Sequence, residues 1–68
     1  MKEPTKKQHD ILYEVNENYS VQMINSNEKI DKYWELVRMG YLKNLVSLGL
    51  MYDWKFVLSE EGEKYINQ

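Results

Sequence analysis

The run Trp34-Glu-Leu-Val-Arg-Met-Gly-Tyr-Leu42 constrains the fold of this chain more than any other. Apolar residues recur at helical spacing through Ile30, Tyr33, Trp34 and Val37. Gly40 then offers the one residue type that turns left-handed without strain and stops a helix, with Tyr41 placed to fold back onto it. A second punctuated run, Phe56-Val-Leu-Ser-Glu-Glu-Gly-Glu-Lys-Tyr65, reads as a strand leading into a serine-capped helix. The segment between them is rich in Leu, Val, Tyr, Trp and Phe, and Gly49 and Asp53 are its turn formers. A hairpin follows, with its tip in Leu48 to Trp54. The back half of the chain is therefore helix, two-stranded ribbon, helix.

The front half is read from its caps. Thr5-Lys-Lys-Gln8 after Pro4 is a capping box, in which the Thr hydroxyl and the Gln amide satisfy free backbone N–H groups. Ile11, Leu12, Val15 and Tyr19 recur at helical spacing behind it, and Asn16-Glu-Asn18 ends that helix. Alternation of Tyr19, Val21 and Met23 suits a short strand or extended link, although a short helix also fits the position. Asn25-Ser-Asn-Glu28 opens the next helix, with Asn25 or Ser26 as its N-cap. The order is helix, short strand or link, helix, β-hairpin, C-terminal helix: a small α+β fold forming a single domain over residues 1–68.

At 68 residues a chain buries only about 60% of the surface its unfolded form exposes. With no cysteine there is no disulfide or thiolate metal site to staple it. The core must come from aliphatics and from six Tyr, two Trp and one Phe, and a homodimer is a natural way to bury more. No apolar run follows the charged N-terminal residues, so neither a signal peptide nor a membrane span is expected and the cytoplasm is the expected location. The chain has no alanine, and eight of its nine basic residues are Lys. That bias resembles AT-rich genomes and their phages, which suggests a phage or mobile-element origin.

The motif Leu36-x-x-x-Gly40-Tyr41-Leu42, a hairpin, then Leu58-Ser59-x-x-Gly62-x-x-Tyr65 resembles the winged-helix family of small bacterial and phage regulators, over roughly residues 26–66. The resemblance implies a recognition helix ending at the glycine, a wing, and a last helix begun by the Ser-x-x-Gly motif. It also implies a DNA-binding transcription regulator. The second helix of that family, which buttresses the recognition helix, is shortened or absent here.

On this reading helix 26–39 enters the major groove of double-stranded DNA. Asn27, Lys29 and Lys32 are its base-contact candidates, and Lys43 and Lys55 reach phosphate from the strands. Turning the helix by about 100° per residue puts Ile30, Trp34 and Val37 inside and Glu28, Lys32, Glu35 and Met39 outside, flanked by Lys29 and Leu36. A solvated face with Glu28–Lys32 and Asp31–Lys32 compensation is the plain alternative. The net charge of −2 is not that of a dedicated nucleic-acid binder. The tip Leu48-Gly-Leu-Met-Tyr-Asp-Trp54 carries no Lys or Arg, so the rival reading is a protein-interaction module. It would use Leu36 and Met39 on the helix, and Leu50, Met51, Tyr52 and Trp54 on the hairpin. Lys2, Lys6 and Lys7 form a solvated basic arm at the N-terminus. No enzyme is expected. His9, beside Asp10, is a lone surface histidine, and the acidic first turn Glu60, Glu61, Glu63 answers to the helix dipole. No phosphate loop or metal-ligand spacing occurs, so neither a metal or other cofactor nor a small-molecule substrate is expected.

Overall fold

The computed structural model describes residues 3–24, 26–46 and 53–67. Three helices and three strands follow in the order α1 (Lys6–Asn18), β1 (Val21–Ile24), α2 (Ile30–Met39), β2 (Leu42–Val46), β3 (Asp53–Leu58) and α3 (Glu60–Ile66). The strands form one antiparallel sheet in the order β1-β3-β2. This α+β arrangement is compatible with a winged-helix-like one.

The capping box of α1 closes in both directions. Thr5 N donates to Gln8 Oε1 at 2.9 Å, and Gln8 N donates to Thr5 Oγ1 at 3.3 Å. Leu12 and Val15 carry the buried face. At the far end Asn18 Nδ2 donates to the Glu14 carbonyl at 2.9 Å, drawing off a helix acceptor where the helix stops. Tyr19 then takes a positive φ of 66° and is 88% exposed. It therefore does not continue the apolar stripe as its spacing suggested, because the chain has left helical geometry before reaching it.

Residues 21–24 are a strand. Val21 pairs with Phe56 and Met23 with Trp54, so β1 reaches past the hairpin partner β2 to join β3. Asp53 and Trp54 belong to β3 rather than to a turn, while Leu48 to Tyr52, including Gly49, lie outside the described residues.

Helix α2 starts at Ile30, four residues later than its cap signals implied. Asn25 lies outside the described residues, and Ser26 sits in a turn. The Asn27 side chain accepts from Lys29 N at 2.8 Å, and Lys29, the N-cap, makes no side-chain cap bond. Asn27 thus stabilises a local turn that competes with helix. Ile30 and Tyr33 are buried as their spacing implies, but the rest of the α2 phase differs from expectation. Ile30, Tyr33 and Leu36 are its buried residues, whereas Trp34 and Val37 are half-buried beside them. The apolar sector is wide enough for either pair to face inward, and contact with Phe56 and α1 decides it.

The end of α2 is a Schellman motif. Gly40 sits at φ 91°, Gly40 N donates to Val37 O, and Tyr41 N donates to Leu36 O, both at 3.0 Å. The start of α3 docks onto this turn. Ser59 N donates to Tyr41 O at 3.0 Å, and the Ser59 hydroxyl donates to Gly40 O while accepting from Gly62 N. The two sequence motifs therefore form one joint, with Tyr41 and Tyr65 in edge contact at 5.6 Å. The core lies between the sheet and the helices. Phe56 is at its centre, 5.3 Å from the rings of both Tyr33 and Trp34.

Candidate interaction surfaces

Strand alternation sorts the sheet residues. Leu42, Trp54 and Phe56 face the helices, so Lys43, Leu45, Lys55 and Val57 occupy the opposite, open face. Lys55 lies across from Leu45 on β2 and Gln22 on β1. Gln22 also donates a side-chain hydrogen bond to Asp53 on that face.

The start of α2 builds a different surface. A shallow cleft of about 230 Å³ opens between α1 and α2, with Lys7, Lys29 and Lys32 at its rim and Tyr33 below. Asp10 and Glu14 of α1 lie along the same cleft. Among the described residues the only ion pair joins Lys64 to Glu61 at 3.6 Å, on α3. The compensation expected between Lys32 and Glu28 or Asp31 is therefore absent, and all three cleft ammonium groups are unpaired. All three residues are exposed, where an ion pair would contribute little.

At the floor of the cleft, Tyr33 is 2% exposed. Burial pushes its hydroxyl up to about 12, and the Glu14 carboxylate adds to the shift through its charge and as hydrogen-bond acceptor. The protonated form is favoured by folding. Stability from this group is therefore complete below the ordinary tyrosine value near 10 and is lost as pH rises from about 10 to 12. Two pH units correspond to about 3 kcal/mol. Urea melts between pH 9 and 12 should show this loss in the native chain and a flatter profile in Tyr33→Phe. Parallel profiles would remove Tyr33 as the cause.

The five DNA-contact candidates thus fall into two groups. Lys29 and Lys32 meet at the cleft, with Lys7 as a third member that only the packing of α1 on α2 brings in. Asn27 is exposed just before α2, but its carbonyl oxygen is engaged by Lys29 N. Lys43 and Lys55 lie on the far side of the sheet and do not join them.

The partner-contact candidates need more correction. Leu36 is fully buried, and Met39 is half-buried and packed on the core, because the turn of α2 toward Tyr33 carries both inward. Trp54 is half-buried, its ring 5.0 Å from that of Trp34 in an edge-on contact. Leu50, Met51 and Tyr52 lie outside the described residues. Among the described residues the exposed large apolar side chains are instead Ile24, Leu45 and Val46, together with Tyr13 and Tyr19. The sheet register would have revealed Leu45, since it follows from which β3 residues face inward.

The chain matches no protein-family model, no curated protein and no solved structure. Its surfaces are therefore read from chemistry alone.

His9 is half-buried rather than free on the surface. Its Nδ1 lies 2.8 Å from the Tyr65 hydroxyl, and its ring is 4.5 Å from that of Tyr13, tying α1 to α3. Lys2 lies outside the described residues, while Lys6 is exposed on the first turn of α1. Among the described residues no group of three or more His, Cys, Asp or Glu could hold a metal ion. Nor is any described helix long and apolar enough to cross a membrane.

Proposed function

We propose that this chain is a small non-catalytic winged-helix-like module that binds double-stranded DNA through the start of α2, as a transcription regulator. The observation that supports the reading is the cleft at which Lys7, Lys29 and Lys32 converge without ion-pair partners. Phosphate neutralisation is the main source of affinity for such a surface, and unpaired ammonium groups are free to supply it. Asp10 and Glu14 along the cleft, and the negative net charge, keep that affinity modest. Lys43 and Lys55 are on the opposite face of the sheet from the helices, and the proposed contact rests on the cleft lysines alone.

A second reading, a protein-interaction module, is favoured by a different observation. Leu45 and Val46 are 50% and 62% exposed on a strand at the sheet edge. One titration separates the two. Fluorescence anisotropy with a labelled random-sequence duplex should show binding at low salt that falls linearly in log K against log salt. Changing Lys29 and Lys32 together to Ala should reduce that slope by about 2 and weaken binding about tenfold or more. Absence of binding at low salt would reject the DNA reading and leave the protein-interaction reading standing.

A further inference from the structure

Strand β2 is one edge of the sheet, with β3 on its inner side. Which of its amides face outward follows from the base of the hairpin. Ser59 N donates to Tyr41 O one step beyond the Leu42–Leu58 pair, so that position is a hydrogen-bonded pair. Bonded and non-bonded pairs alternate along an antiparallel ladder. Lys43–Val57 and Leu45–Lys55 are then the bonded pairs, and Leu42, Asn44 and Val46 turn their N–H and C=O groups away from β3. Among the described residues no backbone group outside the sheet is bonded to them.

We propose that β2 pairs antiparallel with β2 of a second copy of this chain, about a two-fold axis at Asn44. The strand is self-complementary in this register. Asn44 meets Asn44 of the partner subunit, and each Leu42 meets Val46 of the other copy. These three positions are the outward-facing ones, so each becomes a doubly bonded pair. The side chains agree with the backbone. Val46, exposed in the single chain, comes to lie beside buried Leu42 of its partner and extends the core. Lys43 faces Leu45 of the partner, so the lysine stem covers an apolar side chain.

Charge selects the register. Moving the axis one residue toward the strand start would set Lys43 against Lys43 of the partner subunit, a like-charge pair. Moving it one residue the other way leaves Leu42 without a partner in the strand. The other sheet edge is less suited. On β1 the outward carbonyl of Ile24 already accepts from Asn27 N at 3.1 Å, so that edge acceptor is taken. A standard interface takes about 800 Å² from each partner, and two five-residue strands supply only part of that. The dimer is accordingly weak and concentration-dependent. It forms whether or not the chain binds DNA, and its test does not read DNA.

Sedimentation equilibrium of the full chain over micromolar to millimolar concentration should show a reversible dimer. Asn44→Pro removes an outward N–H and places the ring where the partner strand would lie. An edge strand tolerates proline with its N–H side toward solvent, so the single chain should still melt cooperatively. The expected result is a dimer constant at least tenfold weaker. Leu45→Lys, on an exposed position, sets lysine against Lys43 of the partner subunit and should give the same loss if the proline variant fails to fold. Because the chain has no cysteine, Asn44→Cys adds a register test. The Cα atoms of a bonded pair are about 5.5 Å apart, inside the disulfide range. The two copies of position 45 stand two residues out of register, so Asn44→Cys should cross-link on oxidation well ahead of Leu45→Cys. A native chain that stays monomeric to millimolar concentration would overturn the proposal. So would a dimer unaffected by Leu45→Lys, or equal cross-linking at the two positions.

Discussion

Replacing Gly62 by Ala removes about 3 kcal/mol or more of stability. In an exposed helix the same change would add up to about 1 kcal/mol, because glycine is the poorer helix former. Here a Cβ at position 62 would stand 2.2 Å from the Tyr41 carbonyl oxygen and 3.1 Å from Leu58 Cδ2. The first neighbour is backbone and cannot rotate away. Relief requires α3 to lift from the turn after α2, which stretches the Ser59 N–Tyr41 O bond and the hydroxyl bond to Gly40. Overpacking and the loss of two part-buried hydrogen bonds each amount to about 1–3 kcal/mol. A domain of this size has roughly 3–10 kcal/mol in total. The thermal midpoint should drop by about 12–24 °C, at roughly 4–8 °C per kcal/mol for a small domain. Calorimetry of the variant is the check, and an unchanged or raised midpoint would mean that α3 does not dock as described.

Phe56→Ala should cost about 3–5 kcal/mol, the range for truncating a buried aromatic. Phe56 is fully buried on the central strand, and its ring touches Tyr33 and Trp34 of α2. No neighbour can fill the space without leaving its own contacts. Phe56→Leu keeps most of the volume and should cost far less, about 1 kcal/mol. Leu45→Ala, on the half-exposed open face, should cost less still. Urea denaturation of the three variants orders them. If Leu45→Ala proved as damaging as Phe56→Ala, the core would have been placed on the wrong side of the sheet.

What could be read from the chain in advance is what is decided within a few residues. Thr5 and Gln8 cap each other, Gly40 turns left-handed beside its own helix, and Ser59 bonds Gly62 three residues on. These are local interactions, and all were legible. Ile30 and Tyr33 were legible as core too, but the burial of Leu36 ahead of Trp34 and Val37 was not, because it depends on how α2 packs in the core. Its start was misplaced for a local reason, since Asn27 has two hydrogen-bonding options and takes the turn. The candidate surfaces show the same division. Lysines could be named by type and position, but only packing brings Lys7 to Lys29 and Lys32 and sends Lys43 and Lys55 elsewhere. Leu36 looked available because its burial comes from the packing of α2 in the core and not from the helix itself.

The sheet order β1-β3-β2 also has a consequence in time. The central strand is the last to be made, and it pairs with residues as far back as Val21. Until Asp53 to Leu58 emerge from the ribosome, neither earlier strand has its partner and Phe56 is missing from the core. Such long-range pairing is slow to form and leaves strand edges open meanwhile. A growing chain can therefore hold α1 and α2 only as transient local helices, and it commits to its fold only once β3 has been made.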